Sequence, residues 1–312
     1  MIRLLMKLMG MLVALVALAI GVAIYSIDSI ARRAVEVAGT HVLGTPTTLG
    51  GMHIGFVSSK ASMNGLAVAN PPGYADPEFL TLGDGSIGVD ARSLTGDVIR
   101  IPSIRLSDIK VVLEQKGDAS NAKVILANMK SAFGSGSSSS GSSASGGRRY
   151  VIDELLIENI AITAKASGLP ILQPTVNLNV KQVRLASLGS AGKDPIGMDQ
   201  LTAIVVNAIM QAAIEAGGSQ LPKQMIDGVL GGLAGLGQGI PNFNLAIDTG
   251  GGLKQVGDIS QLAGKLGVDL GSLTERFGGD GIKGLGGVGE KLDEAGKSAG
   301  DALKKGLGDL LK

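Results

Sequence analysis

Residues 101–114 read IPSIRLSDIKVVLE, and residues 152–165 read IDELLIENIAITAK. Set against each other without a gap, they place Ile101, Ile104, Leu106, Asp108, Ile109 and Val111 opposite Ile152, Leu155, Ile157, Asn159, Ile160 and Ile162. The apolar residues keep a strand-like alternation, broken at Asp108 and Asn159, where a tight bend must fall. A weaker third copy runs through Ala61, Met63, Gly65, Leu66 and Val68, with glycine at the bend. Each unit is strand, bend, strand, with one apolar face that it cannot bury alone. Laid side by side, such units build an extended antiparallel sheet with a continuous apolar face. The competing reading is a chance likeness among β-rich hairpins.

The neighbouring segments fit a strand-rich middle. Residues 52–69 read as two strands meeting at Asn64-Gly65, a strong turn dipeptide. Asn70-Pro71-Pro72-Gly73 is a loop, and residues 86–92 alternate again. Ile99, Ile101, Ile104 and Leu106 share a face if the strand bulges near Pro102-Ser103. Asp118–Lys130 has a helical pattern, and residues 149–165 and 176–183 return to strand. Asp194-Pro195 opens a helix over about 198–215, stopped by Gly217-Gly218, whose place is to cover the sheet.

Glycine supplies 49 of 312 residues, against an average near 7%. No period of three appears, which excludes collagen. The excess sits in two places. Residues 134–147 are almost wholly Ser and Gly and read as a flexible insert. The remainder lies mostly beyond 216, in a segment expected to be a partly helical tail over 217–312. Within it, Gly228-x-x-x-Gly232 and Gly231-x-x-x-Gly235 match the close-packing pattern of membrane helices, although a soluble tail explains them as well. Residues 289–312 form short amphipathic turns that suit a membrane surface or a loosely docked helix.

The amino terminus is the other strong signal. Arg3 and Lys7 precede an uncharged run from Leu8 to Ile27, 20 residues long. As a helix that is about 30 Å, the thickness of a bilayer's hydrocarbon core. Residues 1–28 therefore read as a transmembrane anchor, with the amino terminus inside and the bulk of the chain outside. A cleaved signal at Ala17-x-Ala19 and a buried core helix are the alternatives. Arg32 and Arg33 follow the run, so basic residues flank both of its ends.

Several chemistries are absent from the sequence. There is no cysteine, so disulfides, thiolate metal sites and cysteine nucleophiles are excluded. With two histidines, no metal site is expected. Five Phe, three Tyr, no Trp and a net charge of +1 argue against a nucleic-acid surface. Gly284-x-Gly286-x-x-Gly289 lacks the preceding strand of a dinucleotide site, and the other glycine clusters lack the G-K-[ST] of a phosphate loop. No catalytic residue and no cofactor is assigned, and the chain is expected not to be an enzyme.

The order of parts carries a resemblance. VSSKASMNGLAVANPPGY at 57–74 and FLTLGDGSIGVDARSLTGDVIRIPSIRLSDIKVVLE at 79–114 follow the apolar run. Over about residues 1–185 the chain resembles the amino-terminal region of bacterial AsmA-like proteins. The matching positions are Gly65, Leu66, Val68, Asn70, Pro71, Gly73 and Tyr74, then Phe79, Leu82, Gly83, Ile87, Val89, Asp90, Ser93 and Leu94. An extra Gly85 and the Ser/Gly insert depart from the family pattern. The resemblance implies an α+β protein with an inner-membrane anchor (1–28) and a curved antiparallel groove domain (29–216) facing the periplasm. It also implies work in outer-membrane biogenesis or phospholipid transport. An apolar groove holds acyl chains at about 0.8 kcal/mol per buried CH₂. The expected lipid contacts are Ile99, Ile101, Ile104, Leu106, Ile109, Val111, Ile160 and Ile162. The plainer expectation for each is a core position closed off by the 198–215 helix. An alternative function is an envelope scaffold that meets a protein partner through its carboxyl-terminal tail.

Overall fold

The structure, a computed structural model, describes residues 2–55, 58–134, 149–167, 175–189, 195–236, 244–256 and 259–270. A long helix α1 (Ile2–Leu43) leads into β1 (Thr47–Gly55), β2 (Lys60–Ala69) and β3 (Glu78–Gly88). A 3₁₀ turn (Ala91–Thr95) precedes β4 (Val98–Ile101) and β5 (Ser103–Lys116). Then come β6 (Ala119–Ser120), α2 (Asn121–Gly134), β7 (Arg149–Ser167) and β8 (Thr175–Leu188). The chain ends its described part with α3 (Met198–Gly217), α4 (Lys223–Leu236), β9 (Asn244–Asp248), β10 (Lys254–Val256) and α5 (Ile259–Lys265). The fold is α+β: one open ten-stranded sheet in the order β1-β2-β3-β5-β7-β8-β9-β10, with β4 beside β7 and β6 beside β5.

The sheet is largely antiparallel, with one correction to the expectation of a wholly antiparallel sheet. Both β4 and β5 pair with β7 in parallel, in the register Ile101↔Ile152, Ile104↔Leu155, Leu106↔Ile157, Ile109↔Ile160 and Val111↔Ile162. These are the pairs of the sequence repeat. Two copies of a unit laid side by side in the same direction can only pair in parallel. A parallel neighbour needs a long crossover. Residues 117–148, which contain α2, make it.

The repeat's bend is a line running across the sheet. Pairing lapses at Gly50/Gly65, Gly65/Gly83, Gly83/Asp108, Asp108/Asn159 and Asn159/Lys181, while the register on either side is unchanged. Gly65 (φ 64°), Asp108 (φ 58°) and Asn159 (φ 55°) take the left-handed conformation there. Glycine, aspartate and asparagine tolerate it best. Asn159 donates to Asp108 Oδ1 along the line, at 3.3 Å. The third, weakest copy therefore fits the other two at its bend. A second line crosses at Pro102, Asp153 and Ser187 (φ 58°). Each line inserts one residue per strand, so inward positions run 101, 104, 106, 109, 111 and 152, 155, 157, 160, 162, all buried. Strand β8 repeats the pattern in reverse with Leu188, Leu185, Val183, Val180 and Leu178.

Asn64-Gly65 is thus not the hairpin turn that the dipeptide suggests. Strand β2 runs straight through it, and the reversal falls between Gly55 and Lys60, with Ser59 at φ 51°. The bulge expected near Pro102 is the break between β4 and β5, since proline cannot donate to a ladder.

Helices α2, α3 and α4 lie on the apolar face. Ser120 caps α2 through Lys123 N–H (3.1 Å), and the Gln200 side chain accepts from Gly197 N–H at the start of α3 (2.8 Å). Among the described residues, 200–220 is the segment long and apolar enough to cross a membrane, yet most of it is buried inside the fold. That is the position of a core helix, as its covering role requires. The α4 glycines also serve packing. A Cβ on Gly232 would stand 2.6 Å from Leu126 Cδ1 of α2, so glycine permits the two helices to meet. Packing does not stop at residue 216: α4 lies in the core and β9 extends the sheet. The Ser/Gly insert and the 284–312 segment lie outside the described residues.

Candidate functional site

The eight residues singled out as lipid contacts come together. Ile99, Ile101, Ile104, Leu106, Ile109, Val111, Ile160 and Ile162 line one face of β4, β5 and β7, each no more than 7% exposed. They belong to one core cluster with residues of α2, α3 and α4. The helical layer covers them, so in this conformation the apolar face is closed. One polar pair interrupts the helical layer: Gln211 Nε2 donates to Asn207 Oδ1 at 2.6 Å, both side chains buried on α3. Gln211 Oε1 has no partner among the described residues.

The opposite face is polar. Arg100–Asp153 (3.0 Å), Arg105–Glu158 (3.6 Å) and Arg184–Glu154 (2.6 Å) bridge neighbouring strands in solvent. Such exposed pairs contribute at most about 1 kcal/mol each.

Two polar constellations were not anticipated from the sequence. The first joins α1 to the sheet. Strand β1 is an edge strand, and an edge leaves a row of backbone N–H groups unpaired. Side chains of α1 take three of them: Thr47 N–H donates to Thr40 Oγ1 (3.0 Å), Leu49 N–H to Glu36 Oε1 (3.0 Å) and Ile54 N–H to Asp28 Oδ1 (2.8 Å). Positions 28, 36 and 40 share a helix face because they differ by eight and four. The Ile54 N–H, helped by His53 Nδ1 at 3.1 Å, holds the Asp28 carboxyl below its ordinary value. The Leu49 N–H, with Arg32 beside it, does the same for Glu36. Gly39 allows the approach, since a Cβ there would lie 2.8 Å from Thr47 Cγ2. Beyond it, Gly44 (φ 68°) ends the helix against Asn128, whose amide donates to Leu43 O (2.9 Å).

The second constellation closes the far end of the sheet. The Glu114 carboxylate is buried and accepts from Asn70 Nδ2 (2.7 Å), Ala75 N–H (2.9 Å) and Asp76 N–H (2.9 Å). Asn121 donates to Asn70 Oδ1 (3.0 Å) and Val112 O (2.7 Å), and accepts from Glu114 N–H (2.9 Å). Lys165 pairs with Asp76 at 2.6 Å. Burial, and then the charge of Glu114, raise the Tyr74 phenol above its ordinary value. These bonds fasten the 70–77 loop over the end of the sheet.

Among the described residues, no group of three or more His, Asp or Glu side chains could hold a metal ion. His53 Nδ1 meets Asp28 Oδ2 at 3.1 Å. No protein-family model matches the chain, and no curated protein matches it.

Proposed function

We propose that the chain is a membrane-tethered, non-enzymatic protein of the bacterial envelope, of the AsmA-like kind. In this reading Leu8–Ile27 crosses the inner membrane once and the sheet domain stands in the periplasm. Phospholipid acyl chains lodge between the sheet and its helical cover. The observation that carries the proposal is the convergence of the eight candidate residues on one continuous apolar face. That face is closed in this conformation, so lipid entry requires the cover to part. Glycines 228, 231, 232 and 235 in α4 weaken it, because each helix-interior glycine costs about 1 kcal/mol relative to alanine.

Photo-crosslinking of the full chain in cells tests this. A photoreactive side chain at Ile109 or Ile160 is expected to capture phospholipid. One at Lys110 or Ala161, on the opposite face, is not. Absence of any lipid adduct at Ile109 and Ile160 overturns lipid handling.

The full burial of those residues favours a second reading, a tethered scaffold acting through a protein partner. It predicts that removing residues 271–312, beyond the described fold, abolishes function while thermal unfolding of the rest is unchanged. Retained function after that removal counts against it.

A further inference from the structure

The bonds between α1 and β1 place the sheet relative to whatever holds the start of α1. From Asp28 to Thr40 the helix rises about 18 Å, at 1.5 Å per residue. The partner positions, Ile54 back to Thr47, span about 23 Å of strand. Strand β1 therefore runs back down the helix at a modest inclination, and its end at Gly55 returns to the level of Asp28. Asp28 is the first charged residue after the uncharged run.

Register carries that level across the sheet. Gly55 pairs with Lys60, and Lys60 with Gly88. Val89 N–H then donates to Ser59 O (2.9 Å), and Asp90 caps the 3₁₀ turn through Arg92 N–H (3.0 Å). The turn is fixed to β4 by Asp90 N–H to Arg100 O (2.9 Å) and by Arg100 N–H to Ser93 Oγ (2.9 Å). On this braced rim two large apolar side chains face solvent: Leu94, 42% exposed, and Val98, 39% exposed. On α1, one turn past the uncharged run, Ile30 is 66% exposed. Among the described residues, the other large apolar side chains exposed to this degree are Met9, Met11 and Leu15 in the uncharged run, Val37 on α1 and Leu253 on the β9–β10 connection.

We infer that the rim formed by the 3₁₀ turn and the start of β4 rests on the membrane from which α1 emerges, with Leu94 and Val98 inserted at the lipid headgroup boundary. The inference rests on Leu8–Ile27 being a membrane span. In sequence Asp97 lies between the two residues and Arg92 just before them, so the segment carries no net charge and attraction is by shallow apolar contact. Amphipathic surface segments insert to about 5–10 Å in this way. The sheet then stands on the bilayer at two points, the helix and the rim, and cannot swing freely about α1.

The chain contains no cysteine, so a single introduced cysteine gives a unique label. The variants Leu15→Cys, Leu94→Cys, Val98→Cys and Leu253→Cys of the full chain carry an environment-sensitive fluorophore. They are reconstituted in vesicles of phosphatidylethanolamine and phosphatidylglycerol. Leu253 is the control: 45% exposed, but on the β9–β10 connection, away from the rim. The expected result is severalfold stronger quenching by a lipid-borne quencher at positions 15, 94 and 98 than at 253. Iodide in the buffer should show the reverse order. If position 15 is lipid-quenched while 94 and 98 behave like 253, the rim inference is overturned and the span stands. If position 15 behaves like 253, the span itself fails and the rim inference with it.

Discussion

The two ends of the sheet are built on opposite plans. At the far end, a loop of eight residues is folded over a buried carboxylate that accepts from two of its backbone N–H groups and the Asn70 amide, and Lys165 pairs with Asp76. At the near end, backbone bonds brace the rim, yet Leu94 and Val98 are left in solvent. The far end keeps water out of the sheet by satisfying polar groups internally. The near end uses the Asp90 carboxylate and the Ser93 hydroxyl to brace its turn, and leaves apolar atoms exposed beside them. Two apolar side chains exposed together on a braced rim mark it for contact.

The contrast breaks most severely at Glu114. Glu114→Ala removes the acceptor for three donors, two of them backbone, and is expected to cost about 3–5 kcal/mol. Thermal unfolding of the full chain in detergent micelles reads the loss, and a cost below 1 kcal/mol would show that the far end is not held by this network. Asn121→Ala, which strips two donors and one acceptor from the same network, is expected to cost about 2 kcal/mol in the same assay. Glu36→Ala, at the helix–edge joint, should cost about 1 kcal/mol and deprotect the Leu49 amide in hydrogen exchange.

Acid should loosen that joint. A carboxyl whose pKa is depressed by folding contributes its full stabilisation above the unfolded value and loses it as pH falls through the folded value. Asp28 and Glu36 are both depressed. The joint should therefore be constant at neutral pH and weaken only below about pH 4, the ordinary carboxylate range. Amide resonances of Leu49 and Ile54 should titrate together there. In Asp28→Asn the Ile54 titration should vanish. The smallest effect on stability belongs to the near end: Leu94→Ser is expected to change it by less than about 0.5 kcal/mol. Its consequence should show in membrane contact alone. A large stability loss would mean that Leu94 packs inside the fold after all.

The apolar face and its register were legible because the repeat spells them out: spacings of three and two mark inward positions whatever the pairing direction. Direction itself was not legible, since a copy in sequence does not say which strand separates it from its twin. Gly65 misled as a hairpin signal because Asn-Gly suits any left-handed position, and here that position lies inside a strand. The joint between α1 and β1 was hidden for another reason. Asp28, Glu36 and Thr40 look like an ordinary solvated helix face until an edge strand is known to run beside them. The 198–215 helix, by contrast, is legible as a cover, because an apolar helix bounded by a capping segment and Gly217-Gly218 needs a sheet to lie on.

The line of left-handed residues has a consequence for how such a sheet could enlarge. Since β1, β2, β3, β5, β7 and β8 all carry an irregularity at the same height, neighbours along that path never disagree about where to bend. A duplicated segment of the 51-residue spacing that separates Ile101 from Ile152 would arrive with its own bend already aligned. Placed between β5 and β7 it would exchange their shared ladder for two ladders in the same register. Sideways growth by whole copies is therefore cheap, whereas an insertion of one residue in a single strand would put that strand out of step with all the others.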